Sequence, residues 1–117
     1  MLKMQNAFVV ALVYEHVWAM TTRPDGREGL PGGKVEQGEE PWQAVLREAA
    51  EEGWLVELDS HEPIQVREVA GRETFWFAAK VIAQLSEYKE KQRGIVPVRR
   101  SGAHVRASGW GNDTLPI

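Results

Sequence analysis

The sequence predicts an α+β protein, and three observations predict it. Apolar, β-branched runs recur along the chain, one amphipathic helix interrupts them near the middle, and a Gly- and Pro-rich segment precedes that helix. At 117 residues the chain is long enough for one core and too short for two, so residues 1–117 are expected to form a single domain.

Ala7–Glu15 (AFVVALVYE) is bounded by polar residues and reads as a buried strand. His16–Thr22 (HVWAMTT) reads as the next strand, antiparallel to a neighbour. Residues 23–40 hold five Gly and two Pro and read as loop, with turn chemistry at Pro24-Asp25-Gly26 and Pro31-Gly32-Gly33. Pro41–Glu52 is the clearest helix. Proline stands first, where its missing N–H costs no hydrogen bond. Trp42, Val45, Leu46 and Ala49 follow i, i+3, i+4, i+7 spacing and form one apolar stripe. Gly53 is placed to stop the helix. Trp54–Leu58, Ile64–Ala70 and Thr74–Ala83 read as strands, and the strongly apolar last one is expected to be central. Phe75, Trp76 and Phe77 alternate faces along it. At least one face is core, which weighs against Trp76 stacking on a ligand. Glu87–Gly94 reads as a charged loop or short helix, and Ile95–Val98 as a short strand. The Gly-rich tail after Ser101 has no clear pattern.

Composition removes several function classes. The longest apolar run, Ala7 to Tyr14, is too short for a membrane span. Lys3 is a thin leader, and Glu15-His16 stand where an export signal would place small residues. With no cysteine there is neither a disulfide nor a thiolate metal site, and the chain is expected to be cytoplasmic. Net charge is −3, but unevenly spread. Residues 1–79 carry 7 Lys/Arg against 14 Asp/Glu, and residues 80–117 carry 7 against 3. A general nucleic-acid binder would be basic throughout. The asymmetry suits a cation site in the first part and anion-steering charge in the second, although chance surface variation accounts for it equally well. The three histidines, His16, His61 and His104, are scattered and suggest no ligand set.

The chemistry-bearing feature is the acidic face of the helix. At about 100° per residue, Glu48, Glu51 and Glu52 share an arc of roughly 100° away from the apolar stripe. Like charges at i+3 and i+4 repel. They also occupy the last turn, where the helix dipole favours cations. A divalent cation reverses both penalties, and clustered carboxylates without sulfur suit a hard ion, Mg²⁺ or Mn²⁺. An isolated EAAEE run would more often be a solvated face. Here Gly32-Gly33 precede the helix, so backbone can approach a ligand closely, and Arg47 stands beside the acids to pair with one from the loop.

Those residues carry a resemblance. Gly33 is followed by five residues and Glu39; seven more lead to Arg47-Glu48, then Ala49-Ala50-Glu51-Glu52. This resembles the Nudix box, G-x5-E-x7-R-E-U-x-E-E-x-G-U, and Leu30–Gly33 (LPGG) resembles its usual lead-in. One position departs: Gly53 comes a residue early and Trp54 holds the usual glycine place, which bears on the path into the next strand. The resemblance implies an α/β/α sandwich with a mixed sheet and a loop-helix-loop catalytic motif. It implies metal binding by Glu48, Glu51 and Glu52, with the Gly32 carbonyl as a further ligand, and a structural ion pair between Glu39 and Arg47 beside Gly33. It also implies Mg²⁺-dependent cleavage of a diphosphate linkage in a small nucleotide. The general base is open; Glu87 and Glu90 both qualify by position, and Glu90 is taken as the candidate. Arg23 and Lys34 are candidate phosphate ligands, each equally readable as a loop cation.

Near the end, Ser108-Gly109-Trp110-Gly111-Asn112-Asp113 resembles the Trp-x-Asp-Asp segment of the MutT-type branch, which hydrolyses oxidised purine nucleoside triphosphates. Trp110 would stack on the base, and Asn112 and Asp113 would read its edge. The plain alternative is a tail anchor followed by turn residues. Nucleoside triphosphates are therefore the expected substrate, with ADP-ribose, nucleotide sugars and dinucleoside polyphosphates as alternatives. A non-catalytic nucleotide-binding relative would have lost box carboxylates, and none is lost here.

Overall fold

The computed structural model describes residues 3–103. Two long strands, β1 (Gln5–Tyr14) and β7 (Arg72–Gln84), run parallel at the centre of an eight-stranded sheet. The apolar segment expected to be central is so: β7 pairs with β1, with β5 (Trp54–Leu58) and with β6 (Gln65–Val69). On the other side of β1 lies β2 (Val17–Thr22), which also pairs with β8 (Val96–Ser101). Every pairing but β1–β7 is antiparallel, so the sheet is mixed.

Side-chain alternation divides the sheet into two faces. Ala7, Val9 and Ala11 of β1 and Phe77 and Ala79 of β7 face helix α1 (Pro41–Glu51), where Ala44, Val45 and Ala49 are buried against them. Val10, Met20, Leu30 and Trp76 form a second cluster, flanked by Phe8, Trp18 and Val98. Phe75 and Phe77 thus belong to the helix side and Trp76 to the other. α1 is the one α-helix described in full; Gly102 and Ala103 are helical at the limit of the described residues.

The segment 23–40 is not all loop, which corrects the sequence reading. β3 (Glu28–Gly29) pairs with β2, and β4 (Gly32–Lys34) pairs with β1 in the register Ala7↔Gly33 and Phe8↔Gly32. Both strands are too short to show periodicity, and only their tertiary partners make them strands. Gly32 has φ +149°, and a Cβ there would collide with the Ala7 carbonyl oxygen. Glycine is required for β4 to lie against β1.

The displaced glycine also finds its reason. Helix α1 ends at Glu51, with Glu52 as its C-cap, and Gly53 leaves at φ +100°. A Cβ on Gly53 would sit 2.7 Å from Pro97 Cγ of β8. Trp54 then enters the core fully buried, and its indole N–H donates to the Met20 carbonyl at 2.9 Å. A glycine at position 54 would leave that volume empty.

Candidate active site

Strand β4 and the last turns of α1 face each other, and Arg47 ties them together. Its Nε donates to Glu39 Oε2 at 2.8 Å and its Nη2 to Glu39 Oε1 at 3.0 Å. Nη2 also donates to the Lys34 carbonyl at 3.0 Å, and Glu39 Oε1 accepts the Glu36 N–H at 3.0 Å. One planar guanidinium therefore holds loop backbone and loop carboxylate together. The Arg47 hydrogen bonds keep Glu39 below the usual carboxylate range.

The acids beyond this clamp are in the opposite state. Glu48 packs against Gly33, where a Cβ would stand 2.8 Å from the Glu48 carboxyl carbon. Glu52 Oε1 accepts the Gly32 N–H at 2.8 Å. Burial pushes Glu52 up to about 8; the Gly32 N–H and Arg23 pull it back, and Glu48 and Glu90 push it further. Burial also raises Glu48, opposed by Arg47 and reinforced by Glu51 and Glu90. Glu51 is held by Arg47 Nη1 at 3.4 Å and Lys89 Nζ at 3.6 Å.

The two candidate bases separate here. Glu90 lies in a 3₁₀ turn (Lys89–Arg93) that packs on α1, and its charge is felt at both Glu48 and Glu52. Glu87 is exposed and paired with Lys91 at 3.0 Å. The two candidate phosphate ligands separate as well. Arg23 lines an open hollow of about 280 Å³ with Glu52, Gly32, Phe8, Thr21 and Arg27. Lys34 lines a different hollow with Lys3, Gln5 and Glu36. Arg27 and Phe8, which sequence reasoning did not single out, line the same hollow, and Arg27 is paired with Asp25 at 2.8 Å. Arg27 shares the loop of Arg23 but sits in no motif, and Phe8 reads simply as strand core. The expected base-reading residues Trp110, Asn112 and Asp113 lie outside the described residues.

The pattern of the NUDIX domain matches residues 3–110. The chain belongs to the NUDIX family. Its fold agrees with solved members. A NUDIX hydrolase from Nitrosomonas europaea superposes with TM-score 0.76 at 20% identity, covering 97% of this chain and 82% of that one. A MutT from the study of Aliivibrio salmonicida and Vibrio cholerae gives 0.65 at 19% identity, covering 89% and 82%. An ADP-ribose pyrophosphatase from Streptococcus suis gives 0.64 at 14% identity, covering 74% and 67%. No curated protein matches the sequence.

In this Nudix hydrolase the donor set around Glu52 is oxygen only, and buried carboxylates raise one another's pKa. Both facts fit a hard divalent cation. Among the described residues no three His, Asp or Glu side chains converge closely enough to hold an ion in this conformation. Glu48 and Glu51 are turned onto Arg47 Nη1 instead. No helix among the described residues is long and apolar enough to cross a membrane.

Proposed function

We propose that this Nudix hydrolase cleaves the diphosphate linkage of a nucleotide, with a nucleoside triphosphate going to the monophosphate and pyrophosphate. The observation that carries the reading is the state of Glu52. It is a buried carboxyl, held by one backbone N–H, crowded by Glu48 and Glu90, and open to an arginine-lined hollow. Such a group is poised for a cation that the chain itself does not supply.

Glu48, Glu51 and Glu52 would hold Mg²⁺ or Mn²⁺, with the Gly32 carbonyl as a further ligand. The bound cation would screen the phosphate charge and acidify a water. The chain's own residues do the rest. Arg23 and Arg27, at the mouth of the hollow, bind the phosphate oxygens and set their distance from Glu52. Lys34, in the neighbouring hollow, is left out of this arrangement. Glu90 accepts the proton of the attacking water, since it faces the cluster from a different element and Glu87 does not. Arg47 and Glu39 touch no substrate; they fix Gly33 and β4 against Glu48.

The test is a hydrolysis panel of nucleoside triphosphates, ADP-ribose, nucleotide sugars and dinucleoside polyphosphates with Mg²⁺ and Mn²⁺. Release of pyrophosphate from triphosphates, fastest among these classes, is the expected result. Preferred turnover of ADP-ribose or a nucleotide sugar would overturn the triphosphate assignment and keep the diphosphate chemistry.

A further inference from the structure

Glu52 and Arg23 line the same hollow from different elements, one at the end of α1 and the other just after β2. The hydrogen bonds of Arg47 and Glu52 tie α1 to the preceding loop and to β4. They do not reach β2. That strand pairs with β1 at Val17 and Trp18, and its far end, which leads into Arg23, leaves that neighbour. Arg23 then opens a turn, with its N–H on the Arg27 carbonyl at 2.8 Å and its own carbonyl accepting the Gly26 N–H at 2.9 Å. Where β2 ends therefore decides where this turn sits.

Gly53 and Trp54 join the exit of α1 to that end of β2. The Gly53 carbonyl accepts the Leu85 N–H at 2.8 Å, just past β7. Its α-carbon lies against Pro97, which stands opposite Thr21 in the β2–β8 register. The Trp54 indole N–H donates to the Met20 carbonyl at 2.9 Å. Trp54 follows Glu52 by two residues, and Met20 precedes Thr21 and Arg23 by one and three. Glu52, Thr21 and Arg23 all line the hollow. Trp54 is fully buried, so its N–H needs an acceptor inside the protein. Phe or Leu would fill the core without that directional demand. The indole bond thus couples the wall that carries Glu52 to the strand that leads into Arg23.

We propose that Trp54 is a positioning residue, which through its bond to Met20 sets the separation of Glu52 and Arg23 and so the fit of a diphosphate between them. The proposal rests on the nucleotide-hydrolase reading. Trp54 touches no substrate. Its effect passes through Arg23, and a small misplacement of a binding group is expensive in rate.

The test is a double-mutant cycle on the full chain: wild type, Trp54→Phe, Arg23→Ala and the double variant. Pyrophosphate affinity with Mg²⁺ is read by calorimetry, kcat/KM by hydrolysis of the nucleotide that wild type turns over fastest, and Tm by thermal melts. With Arg23 present, Trp54→Phe should weaken pyrophosphate binding and kcat/KM about tenfold; without it, less than about twofold. The loss of Tm should be equal in both backgrounds, since a packing defect at Trp54 does not depend on Arg23. Effects on binding that multiply in full, or a wild type that binds no pyrophosphate, overturn the proposal. If Trp54→Phe melts too early, benzothienylalanine at position 54 replaces it, keeping the ring volume and exchanging the N–H for sulfur. If neither variant folds, Trp54 is a determinant of folding alone and the proposal falls. Coupling in pyrophosphate binding with no nucleotide hydrolysed keeps the positioning role and removes the cleavage reading. Hydrolysis with fully multiplying effects has the opposite meaning.

Discussion

Glu39 and Glu52 belong to one loop-helix unit and are held in opposite ways. Glu39 is bonded at both oxygens by Arg47 and by backbone, and its pKa is lowered. Glu52 has a single backbone donor, is largely buried, faces two other acids, and is pushed up to about 8. The first region is satisfied within the chain. The second is not, and under the proposed function a cation would complete it. On that proposal a tight network near a functional site is scaffold, and the electrostatically uncomfortable group beside it is the candidate for binding.

The strongest way to break this comparison is Glu52→Gln. Activity should fall by about a thousandfold or more, since a neutral amide cannot stand in for a ligating carboxylate. Stability should move the other way. The folded-state pKa of Glu52 lies above its unfolded value, so the folded chain binds more protons between 4.5 and about 8. Metal-free stability therefore falls as pH rises through that window. Melts of metal-free wild type and Glu52→Gln should diverge from pH 5 to pH 8, with the variant higher at pH 8. A variant that turns over normally, or that melts lower at pH 8, would refute the reading.

Next in size is the proposed base. Glu90→Gln should lower kcat by about a hundredfold while metal affinity, measured by titration, changes far less. An equal loss in both quantities would make Glu90 a ligand instead.

The clamp should cost less and act differently. Arg47→Ala and Glu39→Gln should each lose activity through a displaced β4, and the double mutant should lose little more than the worse single. Their coupling in stability should be about 1–2 kcal/mol, as expected for a bidentate charged hydrogen bond that is mostly covered. Because Glu39 is depressed, its contribution is present above its ordinary pKa and vanishes as pH falls through the lower folded value. Additive single and double mutants would dissolve the pairing. Smallest of all is Glu87→Gln, expected within about 0.5 kcal/mol in stability and near wild type in rate. A large rate loss there would move the base to the other side of the turn.

How much of this was written in the chain follows from the range of each interaction. The helix, its apolar stripe and the acidic arc were legible because they depend on spacing along one element, whereas the Glu39–Arg47 partnership was implied by the resemblance to the Nudix box. The central place of the Thr74–Ala83 segment was legible from apolarity alone. The short strands β3 and β4 were not, because two or three residues have no period and become strands only by pairing with β2 and β1. The sequence offered both Glu87 and Glu90 by position, with Glu90 taken as the candidate; the 3₁₀ turn that carries Glu90 packs on α1, while Glu87 is exposed. It offered Arg23 and Lys34 as equals too, and the fold puts them in the linings of different hollows. Gly53-Trp54 looked like a defect in a motif. Only the approach of Pro97 and the Met20 carbonyl, both distant in sequence, show it as a core substitution. Trp76 was expected to be core from its place in an apolar strand, and it is buried in the second cluster. Local spacing determined which chemistry this chain can perform. Contacts between segments far apart in sequence decided which of several equivalent residues stand where that chemistry happens.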